Sequence, residues 1–297
     1  MKKILTIASA AVLTAACGQS EREYDATGVF EATEVTVSAE QSGTLLQLAL
    51  EEGDSVEAGR EVGLIDTTQI WLKMQQAEAT KAVYQSQKPD MEKQIAATRQ
   101  QLAKAKTERQ RYRELVADGA APRKMLDDAA NQVEVLQRQL DAQVSSLHTQ
   151  LSTLNSQAST TDVQMRQLSD QLGKCHVKAP TAGTVLEKYA EPGEFVAPGK
   201  PLFKVGNVSR MYMRAYVTSA QLQQVKVGQP VKVFADYGGD KRKEYSGTVS
   251  WISSRSEFTP KTILTDDERA DLVYAVKIAV NNDGNIKIGM YGEVSFE

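Results

Sequence analysis

From Met91 to Leu154 the chain reads MEKQIAATRQQLAKAKTERQRYRELVADGAAPRKMLDDAANQVEVLQRQLDAQVSSLHTQLSTL. Before the central break, Met91, Ile95, Thr98, Leu102, Ala105, Arg109, Tyr112 and Val116 recur in alternating steps of four and three. After it, Leu126, Ala129, Val133, Leu136 and Leu140 repeat that spacing, and Val144, Leu147, Leu151 and Leu154 resume it after one extra step of four. Such spacing keeps a narrow seam on one side of a helix, which is how two long helices zip together as a coiled coil. The break, Asp118-Gly119-Ala120-Ala121-Pro122, joins a residue free to turn left-handed to one that cannot continue a helix. The wider stretch from Thr67 to Leu172 holds only one of the chain's 19 glycines, Gly119. An antiparallel helical hairpin is therefore expected, with arms that reach on the order of 70 Å at about 1.5 Å per residue.

Working outward, Ala39, Gly43, Thr44, Leu46, Glu51, Gly53, Val56 and Gly59 each reappear 140 positions later, as Ala179, Gly183, Thr184, Leu186, Glu191, Gly193, Val196 and Gly199. Coincident glycines at a fixed offset imply two copies of one strand-turn-strand unit. The halves, 38–66 and 175–207, close into one small β domain, and the hairpin over 67–174 is inserted between them. Pro89 interrupts the first arm, and reflection through the turn places it opposite the Ser/Thr-rich stretch Ser156 to Asp162, read as a helix stop and a new N-cap. A joint at that height is expected in both arms. Past the second half, 208–297 reads as short strands, Arg210 to Val217, Pro230 to Asp236, Glu244 to Ser253, Val273 to Val280 and Gly289 to Phe296, with a helix-like Ser219 to Val225. Turns are expected at Tyr237 to Asp240 and, of hairpin type, at Asn281 to Gly284, giving a small β-barrel to which Tyr24 to Val37 adds a strand. The fold class is thus α+β and elongated: a coiled-coil hairpin in a split β domain, followed by a barrel.

At the N-terminus, Lys2 and Lys3 precede the apolar run Ile4 to Ala16, a secretory signal too short to span a membrane. It ends in Leu13-Thr14-Ala15-Ala16-Cys17-Gly18, which resembles the bacterial lipoprotein signal over 1–17, with Thr14 where that pattern prefers Leu. Lipidation of Cys17 is expected; cleavage after small residues with an unmodified Cys is the alternative. Cys175 then stays a lone thiol, read as a small core residue, since neighbours in a strand point to opposite faces and His176 cannot converge with it. His148 lies within an arm, so no cluster has metal-ligand spacing.

Composition narrows the function. The chain carries a net charge of -3, with 25% charged and 6% aromatic residues, against a nucleic-acid reader that needs basic surface and stacking aromatics. Arg99, Lys104, Lys106, Arg109, Arg111 and Arg113 outnumber Glu108 between Arg99 and Arg113; the run is either a solvated helix face or a docking surface. Acidic pairs such as Asp127-Asp128 follow turn-like stretches and complement helix dipoles. No catalytic constellation and no cofactor site emerge, and the chain is read as a non-enzyme.

In order along the chain stand Ala-x-x-x-Gly-Thr-Leu from Ala39, Glu-Gly-Asp-x-Val-x-x-Gly from Glu52, Ala-Pro-x-x-Gly-Thr-Val from Ala179, Pro-Gly-Glu-x-Val from Pro192 and Gly-Met-Tyr-Gly-Glu-Val from Gly289. This succession resembles the HlyD/AcrA/EmrA-like periplasmic adaptors, or membrane fusion proteins, over nearly the whole mature chain. The resemblance implies a split lipoyl-like domain, a ring of about six copies, and a bridge between an inner-membrane pump and a TolC-like outer-membrane channel in the periplasm of a Gram-negative bacterium. It also implies channel docking at the hairpin tip, through an Arg, a Leu four later and a Ser seven after that. Arg111 and Leu115 match, Pro122 replaces the Ser, and Gly119 completes the tip. Phe258-Thr259-Pro260 leading through Glu268-Arg269 to Val273-Tyr274 resembles the barrel of adaptors paired with ABC exporters, and the chain ends directly after the barrel; a pump of the RND or MFS class is the alternative. A lipoyl or biotin carrier shares the repeat but needs its lysine on a tight turn between the halves, whereas Lys73 falls in a helix. A metal-efflux adaptor would cluster its methionines, and a bare coiled-coil scaffold would have no use for the flanking β domains.

Overall fold

A computed structural model describes residues 24–238, 242–258 and 272–296; Cys17, and residues 259–271 of the stretch compared with ABC-exporter adaptors, lie outside these. The chain opens with β1 (Ala26–Ser38), β2 (Gly43–Leu48), β3 (Ser55–Val56) and β4 (Glu61–Ile65). Three helices follow, α1 (Thr68–Ser86), α2 (Met91–Ala117) and α3 (Arg123–Cys175). Then come β5 (His176–Lys178), β6 (Gly183–Lys188), β7 (Phe195–Val196) and the long β8 (Pro201–Thr218). The short α4 (Ser219–Leu222) precedes β9 (Pro230–Asp236), β10 (Arg242–Phe258), β11 (Leu272–Asn281) and β12 (Tyr291–Ser295). The protein is a mixed helix and sheet chain with a long helical region between β bodies.

The two copies of the repeat, offset by 140 residues, fold by exchange. Gly43 and Thr44 of β2 pair with Val196 and Phe195 of β7, and their counterparts Gly183 and Thr184 of β6 pair with Val56 and Ser55 of β3. The backbone bonds are reciprocal as well. Leu45 N donates to Glu194 O at 2.8 Å and Val185 N to Asp54 O at 2.9 Å; Gly59 N donates to Ala179 O at 2.7 Å and Gly199 N to Ala39 O at 2.8 Å. Each copy leaves strand hydrogen-bonding groups that only the other satisfies, so neither half closes alone. Gly53 and Gly193 mark the same point of the turn, with φ of 94° and 96°, where a side chain would be strained. Leu45, Val56, Ile65, Val185, Val196, Leu202 and Phe203 fill the shared core.

A second body is a closed ring of six strands. β1 pairs with β12, β12 with β9, β9 with β10, β10 with β11, β11 with β8, and β8 again with β1. Closure leaves no free edge to recruit another strand. Alternation along β8 buries Met211, Met213, Ala215 and Val217 inside, against Phe30, Val233, Ile278 and Val294, while Tyr212, Arg214 and Tyr216 face outward. β1 and β8 are long enough to enter both bodies, their ladder resuming from Thr33–Asn207 to Ser38–Pro201.

The helices pack as a broken arm along an unbroken one. Lys81 reaches Asp162 at 2.6 Å and Lys106 reaches Gln137 at 3.4 Å, so an advance of 25 residues on one side (81 to 106) matches a retreat of 25 on the other (162 to 137). The direction is antiparallel, and the gap between α1 and α2 shifts no register. That gap is the expected effect of Pro89, and Asp90 caps α2 by accepting from Lys93 N at 3.2 Å. The matching joint in the other arm is absent, because α3 runs 53 residues through Ser156 to Asp162 without a break. Thr153, Thr160 and Thr161 turn their hydroxyls back onto the carbonyls of Thr149, Ser156 and Gln157, the bond a mid-helix Thr makes within its own helix, and none serves as an N-cap. The seam also continues past Leu154, through buried Ala158, Thr161, Leu168 and Cys175.

One turn differs from expectation. Asn281 to Gly284 does not make a hairpin, since β11 pairs with β10 and β8 while β12 pairs with β1 and β9. Gly284 does take the left-handed φ of 91° that the sequence pattern called for. Asn282, however, spends its side chain on β8.

Candidate docking site at the helical tip

α3 at about 1.5 Å per residue is on the order of 80 Å long, so its first residues stand far from the β body that receives its last. The tip is a tight five-residue reversal. Asp118 N donates to Glu114 O at 3.0 Å, Gly119 N to Val116 O at 3.2 Å and Ala120 N to Leu115 O at 2.8 Å. Gly119 holds φ at +70° with nothing near its missing Cβ, so backbone conformation, not space, requires glycine there. Pro122 occupies the N-cap of α3 with φ −65° and makes no side-chain cap. Its fixed φ suits the entry to a helix, while the hydroxyl that the adaptor pattern places there is missing.

Arg111 and Leu115 lie one turn apart and therefore share a helix face. Arg111 is exposed, with Glu108 at 3.8 Å, a loose contact between two solvated side chains. Leu115 is half-buried. All four predicted tip residues lie at the distal end of the arms. The sequence reading misses Glu108 as the partner of Arg111, although the spacing of three is the signal for it. Of the rest of the basic run, Arg99 binds Glu92 at 2.6 Å and Arg113 donates to Gln110 at 3.2 Å. Arg109 occupies a seam position with its Nε buried and unpartnered. Just below the tip the seam thins at Ala105 and Ala129, leaving a groove of about 290 Å³ bordered by Gln101, Glu108 and Leu136.

The remaining candidates do not form a reactive centre. Cys175 is fully buried in the repeat core, and that burial pushes its thiol pKa up, away from the nucleophilic thiolate. His176 points elsewhere, with Nδ1 2.8 Å from Glu61 Oε1. His148 is exposed on α3, and Lys73 sits inside α1. Among the described residues no three His, Cys, Asp or Glu side chains gather as metal ligands, and no helix is long and apolar enough to cross a membrane.

Residues 33–207 match the family model described as RND MFP, barrel-sandwich hybrid domain. A UPF0194 membrane protein of Yersinia pseudotuberculosis serotype O:3 (strain YPIII) is 31% identical over 281 residues, 86% of this chain and 84% of that protein. A UPF0194 membrane protein in the asrC 5'region of Acidithiobacillus ferridurans is 26% identical over 285 residues, 89% and 83% of the two chains. In fold, the chain is similar to MacA from Actinobacillus actinomycetemcomitans, with a TM-score of 0.57 at 22% identity over 91% of this chain and 76% of that one. It is also similar to the membrane fusion protein Spr0693 from Streptococcus pneumoniae R6, with a TM-score of 0.56 at 18% identity, covering 91% and 98%. The exchanged repeat, the arms inserted between its halves and the matched span of 33–207 agree, and the chain belongs to the periplasmic adaptor, or membrane fusion protein, family.

Proposed function

We propose that this protein is the adaptor subunit of a tripartite efflux or secretion assembly, joining an inner-membrane transporter to a TolC-like outer-membrane channel. The observation that carries the reading is the reach of α3. A globular core needs no arm of this length, and ordering one around so thin a seam costs conformational entropy, so its reach is the feature that points to a task at its far end. At that end the protein presents Arg111, Leu115, Gly119 and Pro122. Leu115 packs into an apolar groove between the channel's helices, and Arg111 donates to carbonyls or carboxylates at the channel mouth. The coiled-coil hairpin is the strut, the lipoyl-like body and the barrel build a cyclic ring of about six copies, and a lipid on Cys17 holds the ring to the inner membrane. The transporter is of the ABC class, on the resemblance of the stretch from Phe258 to Tyr274; the RND label of the matching family model favours the other pump class. Copurification of the tagged adaptor with each class of pump separates the two.

The test is Arg111→Asp. It should abolish export and channel cross-linking while leaving the adaptor's own translocation to the periplasm, its folding and its pump binding intact, whereas Arg138→Asp in the middle of the arm should do far less. Normal export by a stable Arg111→Asp protein would refute the docking role.

A further inference from the structure

β1 and β8 carry the chain from the six-stranded ring into the repeat body, and their ladder breaks on the way. Glu31 pairs with Tyr212 and Thr33 with Asn207, so Ala32 on β1 stands opposite four residues of β8, Val208 to Met211. Bulges bend where ladder bonds are missing, and one of this size makes an elbow. On its other edge β8 stays paired with β11 as far as Arg210–Asn281, and two asparagines bind backbone groups at and beyond that rung. Asn207 Oδ1 accepts from Ser209 N at 3.1 Å and from Arg210 N at 3.2 Å. Asn282, from the turn after β11, donates its backbone N to Ser209 O at 2.9 Å and its Nδ2 to Val208 O at 2.9 Å, with Met211 Sδ at 3.3 Å.

The same side chain holds its own turn in shape. Asn282 Oδ1 accepts from Gly284 N and Ile286 N, both at 3.0 Å, and Nδ2 also donates to Ile286 O at 2.9 Å. Ile286 is buried in the ring core, which fixes the turn to the ring. The next residue, Asp283, takes the Lys243 ammonium and the Tyr245 hydroxyl, the latter at 3.1 Å, and Tyr245 OH lies 2.7 Å from Tyr237 OH. One turn therefore ties the elbow on β8 to the β9–β10 pair on another side of the ring.

We propose that Asn282 is a latch that sets the angle between the ring and the repeat body, and with it the direction of the helical arms. Without that side chain the elbow would keep the ladder on either side and the backbone bond to Ser209 O, but lose the bond that pins Val208 O to the ring. The latch is a property of the fold and does not depend on what the arms dock. Asn282→Asp is the discriminating change. A carboxylate still accepts from Gly284 N and Ile286 N, which keeps two of the turn's three side-chain bonds, yet it can no longer donate to Val208 O or Ile286 O and places negative charge against those carbonyls.

Nitroxide labels at Glu57→Cys in the repeat body and Lys232→Cys in the ring, in a Cys17→Ser background, report the angle, because both positions are exposed and Cys175 is buried from the reagent. In the full-length protein, Asn282→Asp should broaden the interlabel distance distribution about twofold, with circular dichroism unchanged. An unchanged width in a folded variant would overturn the latch. Should the variant unfold, hydrogen exchange on the unsubstituted protein decides. The Asn282 side-chain Nδ2 protons, followed by NMR, should exchange about tenfold more slowly than those of an exposed asparagine, and exchange at the exposed rate would equally overturn the proposal.

Discussion

Truncating one seam leucine should loosen the tip half of the arms and nothing else. Leu102 is 4% exposed and packs with Val133 and Leu136 in a cluster bordered only by Ala105 and Leu140. Leu102→Ala removes its buried methyl groups from a site two helices thick. Core Leu→Ala changes cost about 2 to 5 kcal/mol, and the lower end applies here because solvent-bordered neighbours can settle into the space. A loss of about 2 to 3 kcal/mol raises the local opening constant roughly 30- to 150-fold, at 1.4 kcal/mol per factor of ten. Hydrogen exchange followed by mass spectrometry should show that acceleration in peptides spanning 95–116 and 126–147. Peptides from β8 and β11 should be unchanged, since their cores share no buried residue with this cluster. An acceleration below about threefold at the tip, or an equal one in the ring, would refute the view that the arms open as a unit of their own.

Other outcomes follow from particular contacts. Gly183→Ala should destabilise the repeat body by about 1 to 3 kcal/mol in a thermal or denaturant melt. Its Cβ would meet the backbone oxygen of Gly206 at 2.6 Å, and Gly43→Ala should cost a similar amount, because there the Cβ would meet Ile65 Cγ2 at 2.8 Å, a methyl on a stiff and fully buried side chain. Cys175 should resist iodoacetamide at pH 8 in the native protein and react once it is denatured, because burial holds the thiol protonated. Asp90→Ala should cost about 1 kcal/mol of local stability, read as faster amide exchange in the first turn of α2, by removing the cap on Lys93 N. Cys17→Ser should move the mature protein from the membrane fraction to the soluble periplasm; retention without a pump present would count against lipid anchoring.

Much of the fold was legible because it rests on strict spacing. The offset of 140 carries β2 onto β6 and β3 onto β7 residue for residue, since each glycine in it answers a local backbone need at the same point of the turn. The helix break at Pro89 was legible for the same reason: proline acts on its own backbone. Hydroxyl residues carry no such certainty. Ser156 to Asp162 reads as a cap or as helix interior depending on where each hydroxyl turns, and three of the threonines in and beside that stretch turn to the preceding carbonyl. Asn281 to Gly284 shows the same limit at longer range. Asn-Asp-Gly has the composition of a hairpin turn, but Asn282 answers carbonyls on β8 some 74 positions away, and no local pattern encodes such a partner. At the tip, the break and its glycine follow from sequence, because glycine and proline act on their own backbone.

The most direct measurement of the bridging role is site-specific photo-crosslinking in cells, with a photoreactive residue at Leu115 and, as a control, at the mid-arm position Arg138. The account predicts an adduct to an outer-membrane channel from position 115 that is absent from position 138 and lost when Arg111→Asp is added. No channel adduct from position 115 in a strain that exports normally, or equal adducts from both positions, would contradict it.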